Sequence, residues 1–428
     1  MIPKISSSTI YSTLGNNSSL VPLAIKDIAN SCGLTTASYL AGDKVEGKDR
    51  FIDEFGTQAI WLWGIPTYKA ILDKTLFKAS NLDPEVDARI LKDKNIAELA
   101  KNFAPTEEIK NSIENVLAKQ GKFKALTVTK FIASTALTAL TYFGLTKFRH
   151  HYTENRIKKD YFKKQKAQEE YKNENIPFSS AFSNVHNSKN ISFTGGIQDF
   201  MFDPVKNLML VDATITGERL THSRNPQDFM GYVIKEGSFW AFMYFAGPMI
   251  AKALEKHSEK VFKKSIDLDA RVIESEEFKN AFKNGTLKEC IEAFKLADKS
   301  DSEIYKFAVD SGNKNLVIDM AKKSDIISIM RDSGKVDTRK YINLDDLRGF
   351  SKKMEKLLSQ YENSGEDLDT FFKSLRKLKR GAVIKNIGSC IGALGILAPA
   401  IMLFMRKFNN NSDYQVKKDI EAELAKIK

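Results

Sequence analysis

Two stretches of this chain read as copies of each other. Ile52 to Ile90 laid on Ile234 to Val272, at a constant offset of 182 and without a gap, shares Ile52/Ile234, Glu54/Glu236, Ala59/Ala241, Pro66/Pro248, Leu72/Leu254, Lys74/Lys256, Lys78/Lys260, Asp87/Asp269, Ala88/Ala270 and Arg89/Arg271. A repeat of this kind predicts that each copy folds as one structural unit. The patterning is helical throughout, and only Leu208 to Ile215 forms a β-favourable apolar run. The expected fold is therefore all-α: an internally duplicated, membrane-associated helical protein.

Four apolar runs organise the copies: Gly56 to Tyr68, Phe131 to Thr146, Gly237 to Ala251 and Asn386 to Met405. The first and third are partners in the repeat. The second and fourth are each opened by a lysine (Lys130, Lys385) and closed by Lys-Phe. The expected layout is a flexible N-terminus over 1–20 and a first repeat over 21–175 with apolar helices near 56–76 and 126–148. A polar linker follows over 176–196, then a second repeat over 197–428 with apolar helices near 237–256 and 384–406.

The second copy carries about 73 extra residues, read as a soluble helical insert near 274–372. Within it, Ser300 and Glu303 have capping-box spacing, and Asp310-Ser-Gly312 supplies a stop. A similar phrase, Ile326, Ile329 and Met330 before Asp332-Ser-Gly334, recurs 22 residues on.

A bilayer-crossing helix needs about 20 largely apolar residues. Asn386 to Met405 meets that length and Phe131 to Thr146 approaches it. Gly388 and Gly392 have the spacing of close-packed membrane helices. The shorter aromatic runs carry Trp61, Trp63, Phe239 and Trp240, which suits a membrane interface, and Lys252, Lys256, Lys260 and Lys263 follow as on a basic interfacial helix. Basic clusters flank the longer runs: Lys147, Arg149, Arg156 and Lys158 after one, and Lys373, Arg376, Lys377, Lys379 and Arg380 before the other. Near anionic headgroups such residues hold a chain to the surface. A mean hydropathy of −0.33 is typical of soluble chains and fits the alternative that all four runs are core helices of a large soluble protein.

The net charge of +12 attracts polyanions. It concentrates beside the apolar runs, which favours lipid over nucleic acid, and no aromatic-basic module points to nucleic acid. Three scattered cysteines (Cys32, Cys290, Cys390) form no disulfide framework and have no metal-ligand spacing. The N-terminal twenty residues, rich in Ser and Asn, do not read as a cleaved secretory signal.

No catalytic, cofactor-binding or metal site is legible. The five histidines have no HxxxH spacing, and no phosphate loop or nucleophile elbow occurs. Three other groups draw notice. Gly64 and Pro66, with Gly247 and Pro248, are helix-break candidates. Glu54 and Glu236 read as carboxylates at helix N-termini. Asp87 with Arg89 and Asp269 with Arg271 read as repeat-shared residues that bond separate neighbours, since positions two apart do not face each other on a helix.

The expectation is a non-enzymatic scaffold or partner-binding protein of the cytoplasmic membrane with a large cytoplasmic part. Its expected partners are anionic lipid headgroups and a second copy or protein bound through the insert. Two alternatives stand beside it: a small-solute transporter or channel subunit, suggested by the duplication and broken helices, and a soluble basic protein binding nucleic acid. Against the transporter, the apolar runs themselves carry no charge.

Overall fold

The computed structural model describes residues 6–16, 19–41, 44–169, 201–221, 223, 226–297, 299–408 and 415–426. Among them the regular structure is helical, with one isolated antiparallel bridge, Ile329 to Val336. The linker over 176–196 lies outside the described residues. The Leu208 to Ile215 run is helical, inside Pro204–Thr221. Its β preference is overridden because Leu208, Val211 and Ile215 recur at helical spacing and are all buried.

The chain divides into two compact units, each assembled from three separated stretches. Unit 1 comprises Met1–Leu23, Pro66–Ser134 and Ala241–Cys390. Unit 2 comprises Ala24–Ile65, Thr135–Trp240 and Ile391–Lys428.

Unit 1 is built as water-soluble domains are. Its short helices are capped by side chains: Thr106 accepts from the amide of Ile109 to start Glu107–Ala118, Asp93 caps Lys94–Asn102, and Asn343 caps Leu344–Glu362. Each then buries one apolar stripe, such as Ile109, Ile113 and Val116, or Leu347, Phe350, Met354 and Leu357. These stripes meet in one core running from Phe77 to Phe123 and from Ile266 to Leu375. The helices of 274–372 therefore do not form a free-standing module, because they share a core with residues 77–123.

Two local expectations are corrected in this unit. Ser7–Gly15 is a helix rather than a flexible end, and Ser12 donates to Asp269 at 2.6 Å. Ser300 caps Asp301–Val309 as the spacing implies. Ile326, Ile329 and Met330, however, lie in a turn and bridge closed by Gly334 at φ 65°, not on a helix.

The Asp-x-Arg pairs also differ from expectation, because each closes on itself. Asp87 is extended and caps the turn Ala88–Lys92, accepting from the Arg89 amide at 2.9 Å and the Arg89 guanidinium at 2.7 Å. Asp269 caps Ala270–Ile273 and accepts from the Arg271 amide at 2.7 Å and its Nε at 3.2 Å. The spacing rule fails because the aspartate stands outside the helix, where its carboxylate bends back over the first turn. Asp337 and Arg339 make the same closure, at 3.1 Å to the amide and 3.0 Å to the guanidinium. Burial raises Asp269, but hydrogen bonds from Arg271 and Ser12 outweigh it and hold the carboxyl below its usual range.

Unit 1 also holds one carboxyl that titrates near neutrality. Glu255 accepts from Ser265 Oγ at 2.6 Å and from the Ile266 amide at 2.9 Å. Burial, joined by a hydrogen bond to Glu259, pushes it up to about 7. The native state then holds a proton that the unfolded chain releases from 4.5 upward, so stability is lost as pH rises from 4.5 to about 7. Glu259, held low by Glu255 and Lys356, offsets part of this. Glu255 is only half-buried, so solvent screening leaves about 1 kcal/mol. Melting temperatures across this range should fall in the wild type and stay flatter in Glu255→Gln; equal slopes would show that Glu255 is not the group responsible.

Unit 2 inverts this pattern. Its outward side chains are apolar, with Leu40 and Ile396 each 72 % exposed, Trp63 66 %, Phe404 65 % and Leu140 62 %. Its buried side chains are polar or charged about as often as apolar. Backbones approach closely: a Cβ on Gly33 would meet the Gly395 carbonyl oxygen at 2.3 Å, and one on Gly64 would meet Thr138 Cγ2 at 2.9 Å. Gly388 and Gly392, in contrast, have open space where a Cβ would go, so their spacing does not mark a contact.

Candidate functional site

The charged interior of unit 2 begins with a stripe on the helix Lys44–Leu72. Glu46, Asp49, Asp53, Glu54, Gln58 and Trp61 recur three and four apart and are buried. Opposite spacing rules apply to water-facing helices, where such a stripe would face outward. A second stripe lies on Gln120–Glu169, where Thr138, Tyr142, Thr146, Arg149 and Thr153 are buried at intervals of three or four. Leu20–Leu40 contributes Lys26, Asp27 and Asn30; Pro204–Thr221 contributes Asn207, Asp212 and Arg219; Pro226–Trp240 contributes Lys235 and Glu236.

Asp53 is the hub. It is 1 % exposed and is met by Arg149 at 2.9 Å, Arg219 at 3.1 Å and Lys235 at 3.4 Å. Each cation has a second anion: Arg219 reaches Glu236 at 2.6 Å, Lys235 reaches Glu54 at 2.6 Å, and Arg149 lies 3.9 Å from Asp49. Hydroxyls complete the shell, with Thr216 donating to Glu236 at 2.9 Å and Thr153 to Asp49 at 2.6 Å. Among the described residues, seven carboxylates (Asp27, Glu46, Asp49, Asp53, Glu54, Asp212, Glu236) face five cations (Lys26, Arg50, Arg149, Arg219, Lys235). Within this network is a cavity of about 20 Å³ lined by Asp27, Asn30, Glu54, Thr57, Trp61, Asp212, Arg219, Lys235 and Glu236. Its volume suits about one water molecule.

The residues singled out from sequence divide between the units. Glu54 and Glu236 belong to this network, both ion-paired to Lys235, at 2.6 and 3.8 Å. They are not N-terminal carboxylates, because each lies ten residues into its helix. Asp87, Arg89, Asp269 and Arg271 lie in unit 1, in the turns described above.

The helix-break candidates all lie in helical backbone. Pro66 lies inside Lys44–Leu72, and Pro248 lies inside Ala246–Phe262 beside the buried Gly247. A π-helical turn over Ala241–Phe245 precedes Pro248, and another over Ala393–Leu397 precedes Pro399. A proline ring clashes with the carbonyl four residues earlier. That carbonyl belongs to Tyr244 or Gly395, inside the wider π turn in both cases.

Two of the basic flanks are corrected as well. Arg149 is 3 % exposed within the ionic network rather than at a surface. In unit 1, Arg376 donates to the Ile273 carbonyl and to Glu276, Lys379 donates to the Ile266 carbonyl, and Arg380 binds Glu274. Lys373 and Lys377 remain exposed. Asp27, Asp49, Arg50, Asp53, Asp212, Arg219 and Lys235 were not legible as a site.

Comparison of the chain with protein-family models, curated proteins and solved structures gave no match.

Proposed function

We propose that this is a non-enzymatic integral membrane protein in which unit 2 lies in lipid and unit 1 faces water. The observation that carries the reading is the inverted burial of unit 2, with ions inside and large apolar side chains outside. In water that arrangement is doubly unfavourable, since it exposes apolar area and desolvates charge. In hydrocarbon both terms reverse for the outward face, and the ions are shielded from it.

Composition supports the same reading. Gln120–Lys163 and Leu368–Phe404 are long and apolar enough to cross a bilayer, and only 22 % and 28 % of their most apolar windows are buried. A core helix of a soluble protein would be mostly buried instead.

Between the roles open to such a protein, the ionic network favours a small-solute or ion transporter or channel component over a static scaffold. Ionisable groups inside membrane segments are costly and mark solute, ion and proton paths. An internal duplication rests on the sequence likeness of Ile52–Ile90 to Ile234–Val272. The exposed Lys252, Lys256, Lys260 and Lys263, beside exposed Met249 and Phe262, fit an interface with anionic headgroups of the cytoplasmic membrane.

The test is alkaline carbonate washing of membranes from cells expressing the tagged full-length protein. Retention in the pellet until detergent is added is expected. Release into the supernatant would overturn the membrane reading.

A further inference from the structure

The cavity in unit 2 contains more than carboxylates. Trp61 is 3 % exposed and its indole Nε1 has no hydrogen-bond partner; Asn30 is 2 % exposed and its Oδ1 has none either. Both residues line the cavity. A buried indole N–H and a buried amide oxygen left without partners each carry a desolvation penalty. One water removes both, accepting from Trp61 and donating to Asn30, and the cavity has the volume for one.

That water would stand beside an unbalanced charge. The cavity lining holds four carboxylates, Asp27, Glu54, Asp212 and Glu236, against two cations, Arg219 and Lys235. Arg219 and Lys235 are already engaged by Glu236, Glu54 and Asp53. Asp27 forms no ion pair within 4 Å among the described residues, and the charges around it are those of Asp212, Glu54, Lys235 and Arg219. The elements packed around it therefore present Glu54 from Lys44–Leu72, Asp212 and Arg219 from Pro204–Thr221, and Lys235 and Glu236 from Pro226–Trp240. A buried carboxylate with no ion pair of its own, beside further carboxylates, is neutralised most economically by a proton.

We propose that Asp27, with a water held by Trp61 and Asn30, forms a reversible proton-binding site inside unit 2. In loading, a hydronium ion gives its proton to a carboxylate oxygen of Asp27 and leaves as water. In release, the carboxylic acid returns the proton to water. The site deepens the transport reading above and rests on it for its role. Asp27 differs from the ion-paired Glu54 and Glu236 in having capacity to change charge without breaking a salt bridge.

The test is pH-dependent infrared difference spectroscopy of the purified full-length protein in a Glu255→Gln background, which removes the half-buried carboxyl of unit 1. A protonated-carboxyl stretch that disappears on alkalinisation is expected. It should be lost in Asp27→Asn, lost or shifted in Asp212→Asn, and shifted in frequency and midpoint in Trp61→Phe. Circular dichroism checks that each variant keeps its helices. Should Asp27→Asn fail to fold, Trp61→Phe decides, because it keeps the ring bulk and removes only the donor. The absence of such a band, or a band unchanged in the folded variants, would overturn the proton site. Because the spectra need no bilayer, that result is distinct from the outcome of carbonate washing.

Discussion

Replacing Asp53 with alanine is expected to cost the protein about 3–5 kcal/mol, the range for leaving a buried charge network without one partner. Asp53 is the anion shared by Arg149, Arg219 and Lys235, at 2.9, 3.1 and 3.4 Å. Removing it leaves three buried cations with Glu236, Glu54 and a distant Asp49 between them. Asp49→Ala should cost less, about 1–2 kcal/mol, because it loses the Thr153 hydrogen bond and a contact of only 3.9 Å. Glu107→Ala, whose partner Lys110 is well exposed at 3.3 Å, should not change the melting temperature measurably. Thermal unfolding of the three variants in detergent micelles checks the order. If Asp53→Ala melted with Glu107→Ala, the network would be solvated, and the ionic core of unit 2 would not exist as described.

The parts of this protein legible from sequence lie mainly in unit 1, where polar residues face outward and apolar stripes inward. In unit 1 the capping of Asp301–Val309 by Ser300 follows from spacing, because water-facing helices obey the usual rules for hydroxyl caps and apolar stripes. The repeat drew attention to Glu54 and Glu236 and to both Asp-x-Arg pairs, although it could not assign their roles. Glu54 was misplaced because its helix starts at Lys44, before the apolar run begins. The Asp-x-Arg closure was missed because it depends on Asp87 and Asp269 standing just outside a turn, a boundary that residue pattern alone does not fix.

Unit 2 was hidden for a different reason. The stripe Glu46, Asp49, Asp53, Glu54 and Gln58 has clear helical periodicity, but such a stripe is normally taken as a solvated face. The opposite choice becomes visible only when the remaining face is seen to be exposed and apolar, as with Phe51 and Trp63 on the same helix. Leu20–Leu40 and Pro204–Thr221 were overlooked because their apolar and polar residues are too mixed to form a long apolar run. Arg149 read as one of a surface cluster because its neighbours in sequence are basic. Its position eleven residues beyond Thr138, on the same buried stripe, was the available signal.

Gly33→Ala is expected to destabilise unit 2 by about 3 kcal/mol, at the upper end of ordinary overpacking. Helix propensity predicts the reverse, since alanine is favoured over glycine by about 1 kcal/mol inside a helix. The structural reason is backbone contact. A methyl carbon on Gly33 would lie 2.3 Å from the carbonyl oxygen of Gly395, 2.8 Å from its carbonyl carbon and 2.9 Å from its Cα. No side chain is available to rotate away, so Leu20–Leu40 and the π turn Ala393–Leu397 would have to separate. That separation would loosen close packing of the kind small residues permit between membrane helices. Gly388→Ala provides the opposite sign, because nothing lies within 4 Å of the added carbon and the helix gains up to about 1 kcal/mol. Melting temperatures of the two variants in the same detergent should therefore move in opposite directions. A stabilising Gly33→Ala would mean that the two backbones do not meet, and the glycine contact in unit 2 would have to be withdrawn.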